Sequence, residues 1–276
     1  MTSREDWIGR TGLEWSRHSE AMEGMLGPAG QAGLDALAPQ AGENILDLGC
    51  GAGASTAALA AAVGSAGNVF GVDVSPDLIL AARSRLSNLP QADLIEADAT
   101  THAFQPAGYD AVFSRFGSMF FEDPAAAFAN VRGALKAGAR AVMVAWREPA
   151  QNQWATVPMS FVAEGLADPR SAPGPSPFSW ADPDVFREQL TAGGFESVSA
   201  THYDFMAAVS LGEDPDPVRR AIALMMRIGP LAARLRGAPE EAKREAEAFL
   251  TARLARHVHQ GVVRLPASAW IVSAEA

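Results

Sequence analysis

Cysteine, tyrosine and positive charge are all scarce in this chain of 276 residues. Its single cysteine, Cys50, excludes a disulfide framework and any zinc or arsenic site built from several thiolates, so no metal site is predicted. The net charge of −10 would repel a polyanion, which argues against nucleic acid as a partner. The chain has no long apolar run and no apolar signal-peptide core. It therefore predicts no membrane insertion and a cytoplasmic location.

The sequence is organised around residues 44–56, NILDLGCGAGAST. An apolar run containing Asp47, three glycines and a Ser/Thr pair that opens an alanine-rich helix predict a strand, a tight turn and a helix. Glycines let the backbone adopt positive φ angles or lie against a ligand, and the helix N-terminus offers free N–H groups. The spacing is G-x-G-x-G, not the G-x-G-x-x-G of dinucleotide sites. A carboxylate at Asp47 would repel a pyrophosphate but suits a ligand that carries an ammonium group.

Further strands and helices alternate downstream. Strands are predicted at 68–74, 93–96, 109–114 and 139–146, and helices at 55–63, 76–86 and from Asp123 to Gly138. Continuous apolar strands that alternate with helices indicate a parallel sheet covered on both faces. Ligands bind such sheets at the carboxyl ends of the strands, where Gly49, Asp73, Asp98 and Arg115 are predicted to meet.

The flanking regions are less regular. Residues 4–26 predict amphipathic helices that lie over an apolar surface and are broken by Gly27, Pro28 and Gly30. Beyond Trp146, helices are predicted at 151–166, from Asp182 and Pro183 to Gly193 and Gly194, within 216–236 and at 239–259, with a loop at 168–180. Strands are predicted at 197–205 and 262–273, the latter interrupted at Pro266.

Five motifs together resemble those of the S-adenosylmethionine-dependent methyltransferases with a Rossmann-like fold, of the type that acts on small molecules. They are ILDLGCGAGAST, VFGVDVSPDLI, IEADAT, YDAVFSRFGSMFF and LKAGARAVMVAW. The resemblance implies an α/β fold with a seven-stranded, mostly parallel sheet whose last strand is antiparallel, helices on both faces and a helical cap. It divides the chain into an N-terminal cap segment (1–38), a donor-binding core (39–146) and the remaining strands with cap insertions (147–276).

The resemblance also assigns roles at the donor site. The glycine loop would hold the amino-acid end of S-adenosylmethionine, with Asp47 near its ammonium and Arg115 or Arg17 near its carboxylate. Asp73, 22 residues beyond Gly51, would accept both ribose hydroxyls, while Asp98 and the N–H of Ala99 would bind adenine. The predicted donor-binding residues are Arg17, Asp47, Gly49, Cys50, Gly51, Asp73, Val74, Asp98, Ala99 and Arg115.

The catalytic residue and the acceptor pocket are predicted from the segments that flank the donor site. Methyl transfer from a sulfonium requires mainly that the acceptor is positioned, and a base is needed only if the acceptor loses a proton. His18, on the N-terminal helical segment, is the first candidate for that base; a solvent-facing helix histidine is the alternative. Aromatic and sulfur side chains that follow the fourth strand or begin the cap predict the acceptor pocket, with core packing as the alternative. These are Phe116, Met119, Phe120 and Trp154.

The predicted function is S-adenosylmethionine-dependent methylation, at oxygen or carbon, of a small lipophilic acceptor such as a quinone, a polyketide or another secondary metabolite. An NAD-dependent oxidoreductase is one alternative, although the chain has only two tyrosines for a hydride-transfer pair. A non-catalytic protein that binds the methyl donor is the other. A homodimer is compatible with the sequence.

Overall fold

The computed structural model describes residues 3–163 and 175–276. These residues form one mixed sheet with the strand order β3-β2-β1-β4-β5-β8-β6, and the short β7 pairs with β8. The strands are β1 (Asn44–Leu48), β2 (Asn68–Asp73), β3 (Ala92–Glu96), β4 (Tyr109–Arg115), β5 (Leu135–Trp146), β6 (Glu196–Val209), β7 (Val258–His259) and β8 (Val262–Glu275).

Helices cover the sheet and extend beyond its carboxyl-end edge. They are α1 (Arg4–Ile8), α2 (Arg10–Arg17), α3 (Ser19–Leu37), α4 (Ala54–Val63), α5 (Pro76–Arg85), α6 (Pro124–Ala134), α7 (Gln153–Ala163), α8 (Pro183–Ala192), α9 (Pro217–Met225), α10 (Pro230–Arg234) and α11 (Glu240–Leu254). Among the residues that the structure describes, no helix is long and apolar enough to cross a membrane.

The first five strands are parallel, and β8 runs antiparallel to both β5 and β6. This confirms the predicted architecture of a mostly parallel sheet with an antiparallel last strand. The central strands are apolar on both faces because helices cover both: Ile45, Leu46, Val112 and Phe113 have no exposed surface. The parallel order brings the carboxyl ends of β1, β2, β3 and β4 to one edge.

The predicted break at Gly27, Pro28 and Gly30 is wrong, because a single helix, α3, runs through all three residues. Gly27 has no Cβ to collide with the ring of the following proline, so the helix tolerates Pro28. Small residues also let α3 approach the sheet. A Cβ added at Gly33 would overlap the side chains of Val144 and Phe113, and Leu37 and Ala29 are fully buried.

Three other predicted boundaries are corrected. The helix after Asp123 ends at Ala134, not Gly138, because Leu135 already pairs with Tyr109 in the sheet. β8 continues through Pro266, which faces Met206 of β6. It does so because β5 pairs with β8 only from Ala269 onward, so the missing N–H of the proline interrupts no bond to β5. The helix predicted to reach His259 ends at Leu254. The predictions for 164–174 lie outside the described residues.

Candidate active site

Residues 49–52, between β1 and α4, line a large cavity at the carboxyl ends of the parallel strands. Gly49 and Gly51 adopt positive φ angles of 64° and 55°. The N–H groups of Gly49 and Cys50 donate to the carbonyl of Val72 in β2 at 2.8 and 3.1 Å. A Cβ added at Gly49 would lie 2.9 Å from the Cα of Gly117, whereas one added at Gly51 would meet no atom of the described residues within 4 Å. The loop is therefore packed at Gly49 and open at Gly51.

Asp73, the last residue of β2, holds this loop in place. Its Oδ2 accepts the N–H of Gly51 at 2.9 Å, and its Oδ1 accepts the N–H of Ser75 at 2.9 Å. Burial raises the pKa of Asp73 to about 6, although both hydrogen bonds lower it; the nearby Asp47 carboxylate raises it further. A carboxylate with an elevated pKa in a cavity is a strong candidate for a ligand-binding group.

Asp47 lies beneath the loop and outside the cavity lining. Its Oδ2 accepts the hydroxyls of Ser55 and Thr56 at 2.8 and 2.7 Å, which ties the first turn of α4 to β1. Burial raises its pKa, opposed by these two hydrogen bonds and by the positive charge of Arg115. Its Oδ1 has no hydrogen-bond partner among the described residues. In this arrangement Asp47 orients the loop from below and does not face the cavity.

Asp98 and Ala99 follow β3 and line the same cavity, as does Val74 after β2. The Oδ1 of Asp98 accepts the N–H of Thr100 at 2.8 Å, and its Oδ2 lies 3.5 Å from Nε of Arg4. The Arg4 N–H donates to Glu122 at 3.0 Å. The N-terminal helix α1 therefore contacts the cavity beside Asp98.

Arg115, the last residue of β4, also lines the cavity, but its guanidinium is occupied. Its two terminal nitrogens donate to both carboxylate oxygens of Glu23 in α3 at 2.6 and 2.7 Å. A Cβ added at Gly30 would lie 2.6 Å from Cδ of Arg115, so a glycine in α3 leaves room for this side chain. The bidentate pair fixes α3 against the end of β4.

Beyond these polar groups the cavity continues into an apolar chamber. Phe116, Met119, Phe120 and Trp154 all line it, as the sequence predicts for an acceptor pocket. Helices α1, α2, α7, α9 and α10 add further apolar residues, namely Trp7, Trp15, Met159, Met225, Met226 and Leu231. The cavity volume of about 1350 Å³ exceeds the ~300–1,000 Å³ of typical single-ligand pockets, so it can hold two small molecules side by side.

Comparison with known proteins identifies the family. Residues 45–138 match a family model described as a methyltransferase domain. A demethylmenaquinone methyltransferase of Clavibacter sepedonicus is 31% identical over 181 residues, which cover 59% of this chain and 69% of that relative. The chain belongs to the S-adenosylmethionine-dependent methyltransferase family. The methyl donor of this family is S-adenosylmethionine, which confirms the predicted cofactor.

Two further comparisons show how much of the chain is similar to known proteins. The aklanonic acid methyltransferase DauC of Streptomyces sp. (strain C5) is 35% identical over 115 residues, so the chain spans about half, 52%, of its length. The crystal structure of the YcgJ protein from Bacillus subtilis superposes with a TM-score of 0.57 at 14% identity, covering 90% of this chain and 98% of that one. At that identity the likeness concerns the fold alone.

Of the predicted donor-binding residues of the methyltransferase, eight line the cavity and two do not. Those that line it are Gly49, Cys50, Gly51, Asp73, Val74, Asp98, Ala99 and Arg115. Asp47 is buried under the loop. Arg17 does not line the cavity either: its side chain is 59% exposed, and its Nη1 lies 3.5 Å from the Glu14 carboxylate. Neither residue is placed to touch a molecule in the cavity.

His18, the first candidate for a general base, lies outside the cavity lining as well. It sits at the junction of α2 and α3, with Nε2 3.7 Å from Glu14. Glu14 and Glu23, from α2 and α3, do line the cavity and were missed. The amphipathic pattern of residues 4–26 predicted helices over an apolar surface, but not which polar side chains turn inward.

Proposed function

We propose that this protein transfers a methyl group from S-adenosylmethionine to a small lipophilic acceptor, at oxygen or carbon. The observation that carries the proposal is one continuous cavity. It has polar groups at the strand ends and a mainly apolar lining under the cap helices, where Arg227, Arg234 and Arg236 also line it. Relatives named for demethylmenaquinone, aklanonic acid and 2-phytyl-1,4-naphthoquinone support a lipophilic acceptor.

The polar end of the cavity fits the donor. Gly51 leaves open space where any other residue would place a Cβ, so the backbone there can lie against a ligand. Asp73 and Asp98 supply acceptors for hydroxyl and amino groups, and the loop residues 49–52 supply backbone groups for the amino-acid end. Bound S-adenosylmethionine would supply an electrophilic methyl group on its sulfonium.

The rest of the chain positions the acceptor and excludes water. Helices α1, α2, α7, α9 and α10 wall the chamber with aromatic, methionine and leucine side chains. Placing the acceptor within ~3–3.5 Å of the reacting carbon in such a site can supply most of the required rate acceleration. No histidine lines the cavity among the described residues.

The test is turnover. We expect S-adenosylhomocysteine release, and an acceptor one methyl group heavier by mass spectrometry, with at least one member of a panel of short-chain naphthoquinones, phenols and polycyclic carboxylic acids. Calorimetry with S-adenosylmethionine, S-adenosylhomocysteine and NAD runs in parallel. Donor binding without turnover of any panel member would favour the non-catalytic alternative, and binding of NAD alone would contradict the proposal.

The partner, the location and the oligomeric state complete the proposal. We propose a cytoplasmic protein whose partner is a small molecule and not a nucleic acid, in keeping with its net charge of −10. Light scattering distinguishes a monomer of 29.0 kDa from the homodimer that the sequence allows.

A further inference from the structure

Four aromatic rings contact one another in a row beside the chamber, and we call them the aromatic wall: Phe116, Trp146, Trp154 and Phe178. The first and last pairs are stacked, and the central pair is tilted by 45°. The ring centroids of Phe116 and Trp146 are 4.3 Å apart, those of Trp146 and Trp154 4.9 Å, and those of Trp154 and Phe178 5.6 Å. All four residues line the cavity. The wall therefore joins the end of β4 to the start of the cap.

The backbone at one end of the wall is strained. Phe116 has a φ of +59°, a left-handed conformation that is unfavourable for a non-glycine residue. Its N–H nevertheless donates to the carbonyl of Val144 in β5 at 2.8 Å, and its ring is buried. A large aromatic residue kept in a strained position beside a ligand cavity points to a function for the ring.

Asn152 holds Trp154, the third ring of the wall. This side chain has no exposed surface, and its Nδ2 donates to the carbonyls of Arg147, Glu148 and Ser268 at 3.1–3.2 Å. Its Oδ1 accepts the N–H of Ser268 and the Nε1–H of Trp154, both at 3.1 Å. Asn152 thus connects the end of β5, the middle of β8 and the indole of Trp154.

This bond determines what Trp154 presents to the chamber. Asn152 does not line the cavity, so the only polar atom of the indole is paired outside it. The carbon atoms of the ring are left to contact a ligand, and the ring has one fixed orientation. Only 7% of Trp154 is exposed, because its ring packs against those of Trp146 and Phe178. A flat aromatic ligand can meet this exposed part in an offset or edge-to-face contact that a saturated, puckered ring cannot make, and the fixed wall adds no ordering cost.

We propose that the acceptor is a planar aromatic molecule that packs against the aromatic wall, and that Asn152 is the positioning residue that keeps Trp154 oriented for it. This inference rests on the proposed function, because it specifies the acceptor of that same site. Asn152 acts through Trp154 and does not touch the acceptor.

The first test compares two tryptophan substitutions. Trp154→Phe keeps a ring but removes the N–H that Asn152 accepts. Trp180→Phe is the matched control, since Trp180 is also buried and its Nε1 donates to Gln189 at 2.7 Å, but it lies outside the cavity. Calorimetry in the presence of S-adenosylhomocysteine measures the affinity for 2-hydroxy-1,4-naphthoquinone and for a puckered decalin alcohol with the same ring skeleton.

The wild-type protein should bind the flat compound more tightly than the puckered one, by about fivefold or more. Trp154→Phe should remove most of that preference and leave the affinity for S-adenosylhomocysteine unchanged, and Trp180→Phe should alter neither. Equal affinity of the wild type for the two compounds, or the same loss in both variants, would overturn the inference. Donor binding and turnover with other acceptors test the proposed function separately, so the two failures are distinguishable.

The second test addresses Asn152 itself. Indoles as close as those of Trp146 and Trp154 couple electronically and give a paired circular dichroism signal that depends on their mutual angle. Asn152→Ala retains both indoles, so a changed signal reports reorientation of Trp154, and Trp154→Phe provides the reference for its loss. If Asn152→Ala folds with an unaltered signal and unaltered flat-ring preference, the positioning role is wrong. If that variant does not fold, Trp154→Phe still decides the inference.

Discussion

Gly51 has no Cβ, which permits its positive φ angle and leaves space for a ligand in the cavity. We predict that Gly51→Ala lowers the unfolding free energy by about 1 kcal/mol, because its φ is +55°, and weakens donor binding by about tenfold or more. Gly42→Ala is the matched control. Gly42 has a φ of +84° and open space around it but lies outside the cavity, so it should share the stability loss and retain donor affinity. Urea unfolding and calorimetry measure both quantities.

The carboxylate of Asp73 gives donor binding a specific pH dependence. Burial raises the pKa of this group to about 6, so it is largely ionised at pH 8 and protonated at pH 5. Because the ionised form accepts hydroxyl groups, donor affinity should fall by up to about tenfold per pH unit below pH 6. Asp73→Asn should weaken binding at pH 8 by about 2 kcal/mol and remove the inflection near pH 6.

Asp184→Asn, at a carboxylate whose side chain is 90% exposed, provides the control for that titration and should follow the wild-type curve. An inflection near pH 6 that survives in Asp73→Asn would show that another group is responsible.

The positions of some site residues could be predicted from the sequence, and those of others could not. Asp73 and Asp98 were predicted at the strand ends, and they lie there because parallel strands end at a common edge. Asp47 was expected to face the donor, but it lies one residue before the end of β1, where burial against α4 decides its partners. The hydroxyls of Ser55 and Thr56, which open an otherwise apolar helix, were the available signal for that packing.

At the scale of elements, helix α2 packs closely against the start of α5 at Gly12. A Cβ at Gly12 would overlap both the hydroxyl of Ser75, which caps α5, and the carbonyl of Trp7. We predict that Gly12→Ala displaces α2, lowers the unfolding free energy by about 1–3 kcal/mol and weakens donor binding, since α1 and α2 wall the cavity. Hydrogen exchange over residues 4–17 should rise.

The matched substitution is Gly133→Ala in α6, where a Cβ would meet nothing within 4 Å. It should stabilise the protein by about 0.5–1 kcal/mol through helix propensity and leave donor affinity unchanged. Unaltered hydrogen exchange in Gly12→Ala would contradict close packing of α2 on α5.

The element boundaries that were predicted correctly depend on local signals. Caps with a following proline mark the starts of α5, α6 and α8, and those starts need no tertiary information. The errors arise at prolines whose surroundings remove the usual conflict. Pro28 lies within α3 because Gly27 before it has no Cβ to collide with its ring, and Pro266 lies within β8 because its missing N–H interrupts no bond to β5. Asn152 shows the same limit: nothing in its neighbourhood in the sequence reveals that Ser268 completes its hydrogen bonds.

At the scale of the whole molecule, the cavity is assembled from distant parts of the chain: α1 to α3, the ends of β1 to β4, and the helices that follow β5 and β6. The strand ends were predictable because one topology rule places them together. The pairing of the cap with the core was not, since it depends on contacts such as Trp7 with Phe120, whose ring centroids are 5.1 Å apart, across more than a hundred residues.

The elevated pKa of Asp73 also affects the stability of the whole fold. Because the folded pKa of about 6 exceeds the ordinary value of 3.8, the folded state binds the proton more tightly than the unfolded state does. The unfolding free energy should therefore decrease as pH rises from about 4 through 6, by up to about 3 kcal/mol from this group. Asp73→Asn cannot ionise, so it should be more stable than the wild type at pH 8 and equal to it at pH 3.5. Urea unfolding at both pH values, without donor, measures the difference.

An Asp73→Asn variant that is less stable than the wild type at pH 8 would mean that the hydrogen bonds to Gly51 and Ser75 outweigh the cost of burial. The donor site would then be part of what stabilises the fold, and not a group retained for binding at the expense of stability.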